Sequence, residues 1–287
     1  MIAEIVQFLV AGLTLGAIYA LIAFSLSLVY RTTRILNIAQ GEFSMLGAMM
    51  AIAFVSATVP MPLAIVIAVV FAIIVGFLME RLTIRRAMRF PQMTIVMVTV
   101  GVSMTFQGLA LVLWGSDSFS LPHLSGSTPI NIVGAAILPQ TLWILGVSLV
   151  LSLVFWAFFD KTMIGLAMRA NAENILSASL VGINPKKITS LTFMFAAAVG
   201  AVAGILLAPI VFMNFLAGMM LVIKGSVAAI LGGINSNVGA IIGGLTLGLV
   251  ESISAGIFPS LYKDVIAFFI LLVVLCALPK GIIRESA

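Results

Sequence analysis

Several stretches of this chain run for about 18 or more residues almost without a charged side chain, the length needed to cross a roughly 30 Å hydrocarbon layer as a helix. A soluble fold would have nowhere to put them. The 287 residues are 63% apolar and 8% charged, with a mean hydropathy of +1.31, whereas soluble domains carry about 25% charged residues. A transmembrane barrel is disfavoured, because its strands alternate apolar and polar over about 10 residues and these runs are apolar on every face. The expected class is an all-α integral membrane protein, a polytopic helical bundle of 8–9 transmembrane segments in a single domain spanning 1–287.

The apolar runs fall at about 5–30, 39–58, 62–80, 93–114, 141–159 and 188–208, followed by a Gly-interrupted stretch at about 215–234 and runs at about 238–257 and 264–279. Basic residues cluster at alternate ends: Arg31 and Arg34; Arg81, Arg85, Arg86 and Arg89; Lys161, Arg169, Lys186 and Lys187; Lys280 and Arg284. The positive-inside rule makes these the cytoplasmic ends. The connections at 59–61 and 115–140 contain no Lys or Arg and are expected outside, 115–140 as the periplasmic connection. A cytoplasmic C-terminus then requires 215–234 to cross, giving nine crossings with the N-terminus outside, and Lys263 beside Asp264 is the exception to the charge rule. Eight crossings follow if one of the last three segments is re-entrant.

The net charge of +5 and pI near 9.7 sit between hydrophobic runs rather than on a soluble patch, so no nucleic-acid partner is expected. Cys276, the single cysteine, lies in the last run and permits no disulfide within one chain. Glu4 stands where a signal peptide carries basic residues, so the first run is read as retained. Glycines spaced i, i+4 (Gly12/Gly16, Gly200/Gly204, Gly239/Gly243 and Gly244/Gly248) mark close helix packing, within the subunit or across a dimer seam.

Three regions depart from plain apolar sequence. The loop at 161–187 has helical character, with Arg169 and Glu173 four apart and Gly182 and Pro185 ending it, so a short amphipathic cytoplasmic helix is expected, lying in the headgroups or docking a soluble partner. Asn37, Gln40, Glu42 and Ser44 place polar groups at the entry of an apolar segment, a broken entry of the kind that lines a water-accessible path. Lys224 and Glu251 lie within hydrophobic sequence, where a charge costs several kcal/mol unless paired or hydrated. These two are candidate pathway residues or a mutually neutralising pair. Short Gly-interrupted segments near 40 and 233 point to a central binding region with broken or re-entrant helices.

Together these regions resemble the LivH-type permeases of branched-chain amino-acid importers, within the hydrophobic amino-acid ABC uptake transporters. The resemblance runs through Gly12-Leu-Thr-Leu-Gly-Ala-Ile-Tyr19, Asn37-Ile-Ala-Gln-Gly-Glu42, Gly165-Leu-Ala-Met-Arg169-Ala, Leu231-Gly-Gly and Gly239-Ala-Ile-Ile-Gly-Gly-Leu. It implies the ABC importer permease fold in a bacterial inner membrane. It implies that 161–187, through Gly165, Met168, Arg169, Ala170, Glu173 and Gly182, docks on an ATPase subunit, although Asn171-Ala-Glu173 matches the importer Glu-Ala-Ala signature only loosely. It further implies a LivM-type second permease subunit, two ATPase subunits and a periplasmic solute-binding protein. The chain has no Gly-x-x-x-x-Gly-Lys-Ser/Thr loop, so ATP and Mg are expected on the ATPase partners and no cofactor on this chain. Related permeases are associated with urea, short amides, and aromatic or other organic acids. A rival reading is an ATP-independent channel or ion-coupled carrier using Glu42, Lys224 and Glu251. A membrane enzyme is disfavoured, since the only histidine, His123, falls in the outer connection as a solvated residue.

Overall fold

Hydrocarbon offers no water to an unpaired peptide group, so apolar sequence of this length closes its hydrogen bonds internally as helices. The computed structural model describes residues 2–126, 128–132 and 135–257, with Val265, Phe268, Phe269, Leu272 and Val273 beyond them. Its elements are α1 (Ile2–Thr33), α2 (Gln40–Ser56), α3 (Met61–Met79), a π-helical turn (Glu80–Ile84), α4 (Arg85–Ala87), α5 (Gln92–Trp114), β1 (Ile130–Ile132), β2 (Ala135–Ile137), α6 (Pro139–Lys161), α7 (Met163–Glu173), α8 (Ile175–Leu180), α9 (Pro185–Leu207), α10 (Ala217–Gly232) and α11 (Asn237–Ile257). Each apolar run expected up to residue 257 is a helix. The run expected at 264–279 lies, apart from five residues, outside the described part of the chain, as do Lys263, Asp264, Cys276, Lys280, Arg284 and the C-terminus.

Among the described residues, six helices are long and apolar enough to cross a membrane: α1, α3 continued to Ala87, α5, α6, α9 and α11. The α9 span is 72% buried and forms the centre, whereas the α6 span is 17% buried and lies at the periphery. α2 and α10, with 17 and 16 residues, are shorter. Two sets of contacts define the ends of the bundle. At the arginine-rich end, Arg34 Nη1 donates to Asn235 Oδ1 (3.0 Å) and Gln92 Nε2 donates to the Arg34 carbonyl (2.6 Å). At the opposite end, Phe119 and Met213 exchange backbone hydrogen bonds (2.8 and 2.7 Å). α10 starts just beyond Met213 and finishes just before Asn235, so the Gly-interrupted stretch runs from one face to the other. The 115–140 connection also contains an antiparallel pair, Ile130 opposite Ile137, which the pattern of apolar runs does not anticipate.

The glycine pairs decide the seams. Gly12 and Gly16 of α1 lie against Leu249, Gly248, Leu245 and Gly244 of α11, so two of the predicted pairs are the two sides of one contact. Gly239 and Gly243 meet Gly232 and Ala228 of α10, while Gly200 and Gly204 of α9 meet Gln40, Phe43 and Ser44 of α2. All four pairs therefore serve packing within the subunit.

At the arginine-rich end, the π-helical turn brings buried Glu80 to Arg85, which donates from Nε to Oε1 (3.0 Å) and from Nη2 to Oε2 (2.9 Å). Ser190 of α9 donates to Glu80 Oε2 (2.6 Å) and accepts from Arg85 (2.7 Å), tying α3 to α9. Such fork-to-fork contacts fix orientation as well as adding energy.

A methyl group on Gly248 would run into the Gly16 backbone, whereas one on Gly101 of α5 meets nothing within 4 Å. Gly248→Ala is expected to destabilise by about 1–3 kcal/mol and lower the melting temperature of the detergent-solubilised protein. Gly101→Ala should leave it unchanged; equal effects of the two would show that the seam does not govern stability.

Candidate functional site

A lysine on α10 and a glutamate on α11 meet because Gly-rich packing brings these helices and α1 together at the same depth. Lys224 Nζ lies 2.7 Å from Glu251 Oε1. Tyr19 of α1 joins them: its hydroxyl donates to Glu251 Oε2 (3.0 Å) and accepts from Lys224 Nζ (3.2 Å), and the ammonium lies 5.4 Å from the Tyr19 ring centroid. The glutamate side chain is 3% exposed and the lysine 15%. This triad lies on the wall of a cavity of about 430 Å³ that is also lined by residues of the 211–217 segment, which lies at the end opposite the arginines. Leu207, Val211, Phe212, Met220 and Leu221 supply half of the remaining lining residues, and Asn214 is the one polar side chain among the rest.

The second polar region is sealed. Residues 34–39 leave the helical path after Arg34, whose φ is +58°, and the chain enters the bundle without helix until Gln40. The Ile38 amide donates to Thr99 Oγ1 (3.2 Å), seven residues into α5, about 10 Å along the helix. Asn37 Nδ2 donates to Gln40 Oε1 (3.3 Å), and Gln40 Nε2 to the Ala196 carbonyl (2.8 Å). Buried Glu42 accepts at Oε1 from Ser103 and Gln107 of α5, both at 2.7 Å. Its other oxygen lies against Gly218 of α10. Among the described residues, Glu42 Oε2, Asn37 Oδ1 and Ser44 Oγ are buried without a hydrogen-bond partner, each costing about 1–3 kcal/mol.

The loop at 161–187 forms two helices where the sequence predicts one. Asn174 breaks it, its Oδ1 accepting from the Leu176 and Ser177 amides (2.9 and 3.0 Å) and so capping α8. Gly182, at φ +86°, closes α8, with Ile183 N bonded to the Ala178 carbonyl and Gly182 N to that of Ser179. Asn184 then caps α9 with Pro185 in its first turn.

The predicted residues of this loop divide by face. Gly165 packs against the Phe158 and Phe159 backbone, and Met168 is 2% exposed, so both point into the bundle. Buried Asn171 reaches the Thr32 carbonyl of α1 (3.4 Å). Arg169 lines a cleft of about 250 Å³ with Arg31, Trp156, Phe159 and Asn237, and Ala170 is half-buried. Glu173 and Gly182 are exposed, beside Leu176, Leu180 and Val181, which are 72%, 81% and 76% exposed.

The structure thus brings Lys224 and Glu251 together at a cavity, and places Asn37, Gln40, Glu42 and Ser44 in a separate closed cluster. Tyr19, Ser103 and Gln107 are absent from the sequence-derived set. Thr99, Ser103 and Gln107 recur every four residues in an apolar run, a polar stripe that was legible; Tyr19 carried no such signal. His123 is half-buried, with Nδ1 enclosed and unpartnered, rather than solvated.

With this geometry in place, the chain compares with known proteins as follows. A family profile described as branched-chain amino acid transport system / permease component matches residues 8–275. The high-affinity branched-chain amino acid transport system permease protein LivH of Escherichia coli (strain K12) is 33% identical, over 95% of this chain and 93% of that protein. The corresponding protein BraD of Pseudomonas aeruginosa (strain PAO1) is 34% identical, over 96% and 95%. Among solved structures, a chain of PsaBC from Streptococcus pneumoniae in complex with Fab aligns with a TM-score of 0.55 at 15% identity, covering 98% of this chain and 97% of that one, a likeness of fold alone.

Removing one member of a buried ion pair leaves the other charge uncompensated, at about 3–5 kcal/mol. Glu251→Gln and Lys224→Met should each lower the melting temperature in detergent, and the double variant should recover most of the loss. A double variant as unstable as the sum of the singles would show that the two residues do not act as a pair.

Proposed function

The chain belongs to the family of permease components of branched-chain amino acid transport systems, and from that premise we propose that it is one membrane subunit of an ATP-driven importer of branched-chain or other hydrophobic amino acids. The observation that carries this is the family match over nearly the whole length of the chain. A second permease subunit of the LivM type would complete the path, two ATPase subunits would bind ATP and Mg, and a periplasmic binding protein would deliver the substrate. The membrane is a bacterial inner membrane, with the arginine-rich end in the cytoplasm, in keeping with the positive-inside rule. Importers of the same build for urea, short amides or organic acids are the alternative substrate reading.

In this reading α7 and α8 are the docking element. They suit the role physically, because α7 is anchored to the bundle by Gly165, Met168 and Asn171 while Leu176 and Leu180 of α8, with Val181 just after it, stand out from it. Apolar side chains this exposed at the arginine-rich end favour a protein partner. Closure of the ATPase subunits would push α8, the Gly182–Pro185 junction would pass the movement to central α9, and the Glu80–Arg85–Ser190 tie would carry it to α3. The orphaned polar atoms of Asn37, Glu42 and Ser44 support a pathway role for this cluster, since movement of α2 away from α9 and α10 would let water or substrate satisfy them. That outcome would make the access path alternate between the outer cavity and the cytoplasmic side.

The test is co-purification. The chain is expected to bring down its ATPase subunits and to support ATP-dependent uptake, and Leu176→Glu combined with Leu180→Glu should abolish both without lowering the amount of membrane-inserted chain. Uptake that persists without ATP would favour the carrier reading and overturn this one.

A further inference from the structure

The outer cavity combines a buried ion pair with apolar walls, and we infer that it is a binding site for the zwitterionic head and apolar side chain of an α-amino acid, built into the permease itself. This rests on the importer reading and narrows it to one chemical class at one place.

Lys224 and Glu251 sit side by side, 2.7 Å apart, on the wall of a space of about 430 Å³, within the roughly 300–1,000 Å³ typical of small-ligand pockets. A pair needed only to neutralise itself is served by a sealed core, where buried pairs add little over well-packed apolar residues. Here the ammonium keeps contact with the cavity and Tyr19 holds both partners in register. A ligand that carries one cation and one anion a single carbon apart can lie antiparallel to the pair, its ammonium toward Glu251 and its carboxylate toward Lys224.

Net charge then discriminates among ligands. A carboxylic acid without an amine would gain Lys224 and be repelled by Glu251; an amine without a carboxylate would meet the reverse. Urea and short amides carry no formal charge to match either group and no side chain to fill the apolar wall of Leu207, Val211, Met220 and Leu221. The site therefore selects against the alternative substrates by an unfavourable contact as well as for amino acids by a favourable one. Lys224 lies seven residues into α10, about 10 Å from the outer end of that helix. Substrate released by a binding protein would reach this depth before any path toward the arginine-rich end had opened.

The experiment uses the assembled importer, this chain with its partner subunits, in two formats. In detergent without binding protein, labelled leucine should bind saturably, compete with isoleucine and valine, and fail to compete with leucinamide or 4-methylpentanoate, which each lack one charge. Glu251→Gln should weaken binding at least tenfold. In proteoliposomes with binding protein, Met220→Trp, which fills the cavity while leaving both charged residues in the chain, should lower leucine uptake at least tenfold while the complex still assembles and hydrolyses ATP. Wild-type uptake by Met220→Trp, or equal competition by leucine, leucinamide and 4-methylpentanoate, would overturn the site and leave the importer reading standing. A wild-type complex that hydrolyses ATP but imports none of these amino acids would overturn the importer reading itself.

Discussion

In a lipid environment one apolar helix gains nothing by leaving hydrocarbon for another apolar helix, so the bundle depends on how closely its backbones approach. Gly12, Gly16, Gly244 and Gly248 bring α1 and α11 together at a distance that a single methyl group would prevent. The same device joins α10 to α11 and α2 to α9. Because three seams share this origin, the depth at which each polar side chain comes to rest is set by where the glycines allow contact. Tyr19 and Glu251 lie on opposite sides of the Gly16–Gly248 contact of these antiparallel helices, and because helical side chains lean toward their own N-terminus the two long side chains lean toward each other and the hydroxyl meets the carboxylate.

That placement connects packing to chemistry. A lysine and a glutamate at membrane depth would each be costly alone. Held together with Tyr19 they form a compact dipolar patch on the wall of a cavity. The Glu42 cluster is the opposite case: its donors come from α5, it has no cation among its described contacts, and three of its polar atoms are orphaned. One polar region is complete and faces a cavity; the other is incomplete and enclosed. A transport cycle needs regions of both kinds, since a site that is satisfied in every state would never release what it binds.

Much of this was legible in the sequence. Apolar run lengths give the helices, because the thickness of the hydrocarbon sets a minimum that few other constraints mimic. Gly182, Asn184 and Pro185 announce the end of one helix and the start of the next through backbone chemistry that is local to those residues. Asn174 has the same local signature as a cap, yet the apolar pattern across it reads as a single helix, and the break emerges only when its side chain is seen to hold the amides of Leu176 and Ser177. The β1–β2 pair was invisible for a related reason: three-residue strands in a connecting loop have too little pattern to stand out from it.

Membrane residence, the approximate helix limits and the clustering of the arginines at one end follow from the sequence alone, because each is a one-dimensional property of length, apolarity or charge position. Which glycine pair faces which, whether Lys224 answers Glu251 or Glu42, and which side of α7 faces inward were decided by tertiary structure. Those outcomes depend on the rotation and relative depth of helices far apart in the chain. An apolar helix has little amphipathic pattern to reveal its rotation, so only the packed bundle shows that the half-buried lysine belongs to Glu251, that Tyr19 joins them, and that the three border a cavity.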